Sequence, residues 1–252
     1  MPLINTDLTH QFDSNIRKYS LSFAAKKLLS SLNLSIKSNS VISLNSPTLF
    51  VSNHPGGLDI FLIQAAIQDP ELHFVALASY EGFSDVIKEK LIPIYRRSSW
   101  RDVFPRLFTN QLRSHQINDT QKVRELNKLS IKKAANLINQ GKSVVIFPTG
   151  TGGRKPSQSN WKAGVGHLIS QIKNSDTRVC FIHITNSSKY DWLRLIFYHF
   201  GWKRFKRKII QVNLLGNFKL AEYVNTTEDA KKIAKYLESK YQNLLSHRSQ
   251  LL

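Results

Sequence analysis

The chain has 252 residues, 41% of them apolar, and carries 36 Lys and Arg against 17 Asp and Glu, a formal charge of +19. That length buries one substantial core, and the charge attracts anions: nucleic acid, an anionic bilayer, an acidic carrier protein or phosphorylated small molecules. The lone cysteine, Cys180 in the apolar run VCFIHI, excludes an intramolecular disulfide framework and a multi-cysteine zinc site, reads as a core residue, and makes a reducing cytoplasm the default.

Residues 14–32 place Ile16, Leu21, Phe23, Ala24, Leu28 and Leu32 at helical spacing with Arg and Lys between them, which predicts a basic amphipathic helix. Residues 1–40 therefore read as an N-terminal amphipathic helical segment and residues 41–252 as the main domain. Apolar runs bounded by turn residues predict strands at 41–52, 72–78, 143–147, 178–184 and 209–215. Helical patterns lie between them near 60–68, 82–91, 101–113, 121–140 and 161–173. The fourth of these stops at Gly141, where a left-handed cap belongs. A last helix over 228–247 carries Ala230, Ile233, Ala234, Leu237, Tyr241 and Leu244 on one face, suited to docking on the core. The alternation predicts an α/β layered domain, a largely parallel or mixed sheet flanked by helices, with ligands outside the carboxyl ends of the strands. No run reaches the roughly 18 apolar residues of a spanning helix, and no leader pattern opens the chain. Any membrane contact is therefore expected to be peripheral.

The first predicted strand runs into SNHPGGLDIF. On a continuous helix His54 and Asp59 would point about 140° apart, but Pro55 disfavours helical geometry at His54, and Gly56 and Gly57 allow a bend. Across such a turn the carboxylate reaches the imidazole, fixing its tautomer and stabilising the imidazolium, so that the ring can take a proton from a substrate hydroxyl. The competing reading makes Asp59 a cap of the next helix and His54 a turn residue. A later strand runs into VVIFPTGTGGR, 144–154. Its glycines let backbone N–H groups converge on an anion and its arginine offers planar donors to a phosphate, yet it ends neither as a Walker loop nor as a dinucleotide fingerprint. An ordinary Gly-rich loop stays open there.

Together these segments resemble the glycerolipid acyltransferase family, the glycerol-3-phosphate and 1-acylglycerol-3-phosphate acyltransferases, over residues 45–190. The family's Asn-His-x4-Asp block is matched by NHPGGLD, Asn53 to Asp59. An arginine block after an apolar strand is matched by LIPIYRRS, with Arg96 or Arg97. The block usually written Phe-Pro-Glu-Gly-Thr-Arg-Ser keeps Phe147, Pro148, Gly150 and Thr151. Thr149 stands where the family usually has glutamate, Gly152 where it has arginine, and Arg154 comes two residues late. The fourth block, CFIHITNSS, lacks its proline.

The resemblance implies an enzyme of glycerol-phosphate acyltransferase-like fold. It would move a fatty acyl chain from acyl-CoA or acyl carrier protein, as donor substrate and with no cofactor, to a hydroxyl of lysophosphatidic acid or glycerol 3-phosphate. It implies His54 as general base with Asp59 behind it, and Arg96, Arg97, Thr149, Gly150, Thr151, Gly152 and Arg154 as substrate-binding residues. Backbone N–H groups near residues 150–153, or at the helix after Gly57, are candidates for the oxyanion. No metal is expected; His167, His183 and His199 lack zinc spacing. The altered third block puts the acceptor headgroup in question and keeps a catalytically inactive lipid-binding relative in view.

Residues 191–208, DWLRLIFYHFGWKRFKRK, crowd aromatic side chains against cations, a composition suited to the headgroup region of an anionic bilayer. The expected location is cytoplasmic, peripheral at the membrane, with these residues or the N-terminal helix in contact; core packing is the alternative for both. The rival function is a basic nucleic-acid-binding protein. It is supported by the charge and by KRFKRK at 203–208, and opposed by the absence of a helix-turn-helix, ribonucleoprotein or zinc-finger signature.

Overall fold

The computed structural model describes residues 6–39, 46–96, 117–150, 160–202 and 204–249. The elements in chain order are α1 (Thr6–Lys18), α2 (Leu21–Ser31), β1 (Leu34–Ser38), β2 (Thr48–Ser52), α3 (Asp59–Ile67), β3 (His73–Leu77), a short 3-10 helix (Ala78–Gly82), α4 (Asp85–Lys90) and β4 (Leu91–Ile94). Then follow α5 (Thr120–Asn139), β5 (Val144–Ile146), α6 (Gly164–Ile169), β6 (Arg178–Thr185), α7 (Leu193–His199), β7 (Lys208–Lys219), α8 (Leu220–Tyr223) and α9 (Ala230–Ser249).

The seven strands form one sheet in the order β1-β7-β6-β2-β5-β3-β4. Every pairing is parallel except β6 with β7, so the sheet is mixed, within the expected class. β2 lies at the centre and is buried along its whole length, as a strand covered on both faces must be. One face, with Phe50, Phe74, Val145 and Cys180, packs under α1, α2 and α3. The other, with Leu49, Val51, Val144 and Phe181, packs under α5, α6 and α9. Cys180 is in the core as expected, and burial pushes its thiol up to about 12, which leaves it unreactive.

Several elements differ from the sequence reading. The predicted N-terminal helix is two helices, because Ser20 adopts an extended backbone and its hydroxyl accepts from the Phe23 N–H, starting α2 afresh. Leu8, Phe12, Leu21, Ala24, Leu28 and Leu32 of this segment are buried in the core, whereas Ile16 and Phe23 are half-buried and Tyr19 is exposed. β1 was not foreseen, and β4 was expected only from the resemblance, as the apolar strand ahead of the arginine block. Among the described residues both are edge strands; LSIKS is half-exposed and LIPI carries Pro93, which an edge position tolerates. The helix expected over 161–173 is confined to Gly164–Ile169, and α7 arises inside the aromatic stretch for which no helix was expected. The helix expected at 101–113 and the start of the first strand, 41–45, lie outside the described residues. At the end of α5, Gly141 takes φ +88° and caps the helix as foreseen, its N–H meeting the Ile138 carbonyl.

Candidate active site

β2 delivers the turn from His54 to Asp59 at the carboxyl end of the sheet's central strand. The Asn53 side chain continues the pairing of β2 with β6 beyond the last strand residue: its Nδ2 donates to the Ile184 carbonyl at 2.9 Å, and its Oδ1 accepts from the Ile184 N–H at 2.7 Å. An amide side chain thereby acts as one more peptide unit and fixes where the next residue starts. That residue is His54.

His54 Nδ1 lies 2.7 Å from Asp59 Oδ2, and the same oxygen accepts from the Gly56 N–H at 3.0 Å. With the carboxylate ionised, Nδ1 carries the proton it donates and Nε2 keeps its lone pair. Asp59 opens α3, where the helix dipole favours a negative charge. It does not cap that helix: the N-cap is Leu58 and no side chain caps there. The geometry therefore decides against the plain helix-cap alternative.

Asp59 is fully buried, and its Oδ1 has no hydrogen-bond partner. Burial raises its pKa above the usual carboxylate range, against the opposing pull of the His54 hydrogen bond and charge and the Gly56 N–H. The folded chain thus binds this proton more readily than the unfolded chain. Stability falls as pH rises from the ordinary carboxylate value through the raised folded one, so holding the ionised form at neutral pH costs the fold something.

The glycines of the turn serve a purpose other than the one the sequence suggested. Neither has a positive φ. A methyl group on Gly56 would sit 2.6 Å from the Ser188 carbonyl oxygen, and one on Gly57 would sit 3.3 Å from Trp192 Cβ. The segment after β6 presses on the turn, leaving no room for a side chain at Gly56 and little at Gly57. That segment is itself braced. Buried Asp191 accepts from the Ser188 N–H at 2.7 Å and from Lys208 Nζ at 2.8 Å. Half-buried Tyr80, kept protonated by a raised pKa, donates to the Gly57 carbonyl at 2.8 Å.

His54 keeps 18% of its side-chain surface accessible, and it lines a cavity of about 400 Å³ at the carboxyl ends of β2, β3, β4 and β5. Phe147 stacks beside the imidazole with ring centroids 4.7 Å apart. The cavity is walled by Ile60, Val75, Leu77, Ile94, Ile131 and Val165, while Arg96 and Lys162 bring cations to it. An apolar chamber with a base at its wall and positive charge nearby suits an amphiphile with an anionic end.

A family model for acyltransferases matches residues 33–185, more than half of the chain. The chain belongs to the acyltransferase family. The acyltransferase is also similar to a solved structure, the 1-acyl-sn-glycerophosphate (LPA) acyltransferase PlsC from Thermotoga maritima, with 12% identity, a TM-score of 0.46, and coverage of 97% of this chain and 96% of that one. No curated protein gives a match.

Of the residues singled out in the acyltransferase sequence, His54 and Asp59 are brought together, and Arg96 and Gly150 line the same cavity. Thr149 is buried beside Gly150. Arg97, Thr151, Gly152 and Arg154 lie outside the described residues. Gly150, at φ +65°, spends its N–H on the Phe147 carbonyl, closing a turn, so that group is not free to meet an oxyanion. Gly56 N–H is likewise taken by Asp59.

The sequence reading missed Asn53 as an anchor, Tyr80, the Asp191–Lys208 pair and Lys162. Only Lys162 left a local signal, as a cation opening a predicted helix after a Gly-rich loop. Its backbone N–H donates to the Pro148 carbonyl at 2.9 Å, tying that turn to the start of α6. His183, set aside as structural, bonds Tyr241 Oη through Nδ1 at 2.6 Å.

Proposed function

We propose that this acyltransferase moves a fatty acyl chain from acyl-CoA or acyl carrier protein onto a hydroxyl of a glycerolipid precursor, lysophosphatidic acid or glycerol 3-phosphate, with His54 as general base. The observation that carries this reading is an imidazole held by a buried carboxylate at the wall of an apolar cavity flanked by cations. His54 Nε2 takes the proton of the acceptor hydroxyl as its oxygen attacks the thioester carbonyl carbon. The tetrahedral species collapses by breaking the carbon–sulfur bond, and the imidazolium proton goes to the departing thiolate. The products are an ester and a free thiol, and His54 returns to its neutral state. Asp59 keeps the tautomer correct and stabilises the transient imidazolium. The apolar wall receives the acyl chain, and Arg96 and Lys162 receive the phosphate of the acceptor or donor.

The decisive experiment incubates the purified enzyme with labelled acyl-CoA or acyl carrier protein and a panel of lysolipids that includes glycerol 3-phosphate, with products read by mass spectrometry. An ester formed by the wild type and not by the His54 variant supports the proposal; no acylated acceptor with either donor sinks it.

Two further results are expected. Asp59→Asn should lower kcat by about 10²-fold, less than loss of the base itself. Because the buried ionised carboxylate is held at a cost, the same change should leave the urea midpoint at neutral pH equal or higher. An unchanged kcat would remove Asp59 from the mechanism. Lys162→Met should raise KM for a phosphate-bearing acceptor about tenfold while kcat changes little, since a charge at the cavity's rim acts on binding more than on chemistry. Equal KM values would exclude Lys162 from phosphate binding.

A further inference from the structure

We infer that the acyltransferase docks on an anionic bilayer through the surface made by α7 and the segment that follows it, with Phe197, Phe200 and Trp202 entering the headgroup region. Nine large apolar or aromatic side chains stand exposed among the described residues, and five of them fall within 190–209: Tyr190, Phe197, Phe200, Trp202 and Ile209. Single exposed apolar residues are ordinary, whereas a concentration of them marks a surface that meets a partner. Phe197, Phe200 and Trp202 keep 48%, 66% and 63% of their surface accessible.

The same stretch is held firmly from beneath. Leu195 and Tyr198 of α7 pack on the core, and Trp202 Nε1 donates to the Arg204 carbonyl. The aromatic side chains are therefore presented on a fixed support.

Charge identifies the partner. Lys189, Arg204, Lys206 and Arg207 of the same stretch are exposed. Asp191, the only acid in 187–209, is buried and paired with Lys208. A stretch whose exposed charges are all positive complements anionic lipid, and aromatic rings beside cations suit the headgroup layer. An acidic protein would use the cations but would give three protruding rings no apolar region to enter. The N-terminal helices expose a smaller apolar surface: Tyr19 is exposed with Phe23 half-buried beside it, while most of their apolar residues lie in the core. Trp192, which precedes α7, packs on Gly57 of the turn between His54 and Asp59, so this surface adjoins the segment that carries the proposed base.

This inference rests on the lipid reading of the active site, but its test does not require turnover. Vesicles of phosphatidylcholine, with and without phosphatidylglycerol, are floated with the wild-type protein at low and high salt, and with the acidic acyl carrier protein as a competing partner. The wild type should float with anionic vesicles at low salt and be released as salt screens the cations. The variant Phe197→Ser/Phe200→Ser/Trp202→Ser, checked for folding by circular dichroism, should bind about tenfold more weakly or worse. A second variant, Arg204→Ser/Lys206→Ser, should lose the preference for anionic over neutral vesicles.

Failure of the wild type to float on anionic vesicles at low salt overturns the inference. So does a triple variant that floats as well as the wild type, or one that loses only carrier-protein binding. On a water-soluble short-chain thioester and acceptor, both proteins should turn over equally. If neither does, the active-site proposal fails while flotation still decides the docking surface.

Discussion

Replacing His54 with alanine is expected to lower kcat/KM by about 10² to 10⁴-fold, with the protein still folded. The size follows from the geometry. Asp59 is sealed from solvent and, within the dyad, touches only His54, so no described carboxylate can substitute as base from that position. Removing the ring also leaves a buried carboxylate with a single remaining donor, the Gly56 N–H. The variant should therefore lose stability as well as turnover, because an ionised group has lost a partner. Single-turnover measurement separates these effects from product release. Retention of more than a tenth of the wild-type kcat/KM would require another base and would end the mechanism proposed above.

Gly166→Ala should destabilise the fold by about 3 kcal/mol, more than most single methyl additions. The added carbon would sit 1.9 Å from the Ala230 carbonyl oxygen and within 2.8 Å of the Ala230 Cα. The obstruction is backbone, so no rotamer relieves it, and α6 would have to part from the start of α9. Intrinsic helix propensity predicts the opposite sign, since alanine is the better helix former by about 1 kcal/mol. Gly164→Ala is the internal control: its new carbon meets only Ile131 Cδ1, at 3.9 Å, and it should be neutral or slightly stabilising. Urea unfolding of both variants checks this. Equal midpoints would mean that the close approach of α6 and α9 is not maintained in solution.

Much of this architecture was legible in sequence because buried parallel strands are continuous apolar runs. TLFVS, VVI and RVCFIHIT carried that signal, and each became a strand. The His54–Asp59 pair was legible because the turn between them spans only five residues. Edge strands such as LSIKS hide because half of each faces water. The roles of Asn53, Gly56 and Gly57 could not be read locally. Asn53 bonds a residue 131 positions away, and the glycines are small because Ser188 and Trp192 press on them, contacts that exist only once β6 has taken its place beside β2. The sequence reading had the correct residue type there for a different physical reason.

The placement of β1 has a practical consequence. β7 pairs with β6 on one side and is covered by β1 on the other, from Leu34 against Lys208 to Ser38 against Val212. A shortened protein starting at residue 41 would bare a row of unsatisfied peptide groups beside Ile210 and Val212 and strip α1 and α2 from one face of the sheet. Such a fragment is expected to precipitate or to recruit strands from its own copies, so the first forty residues function as the sheet's guard.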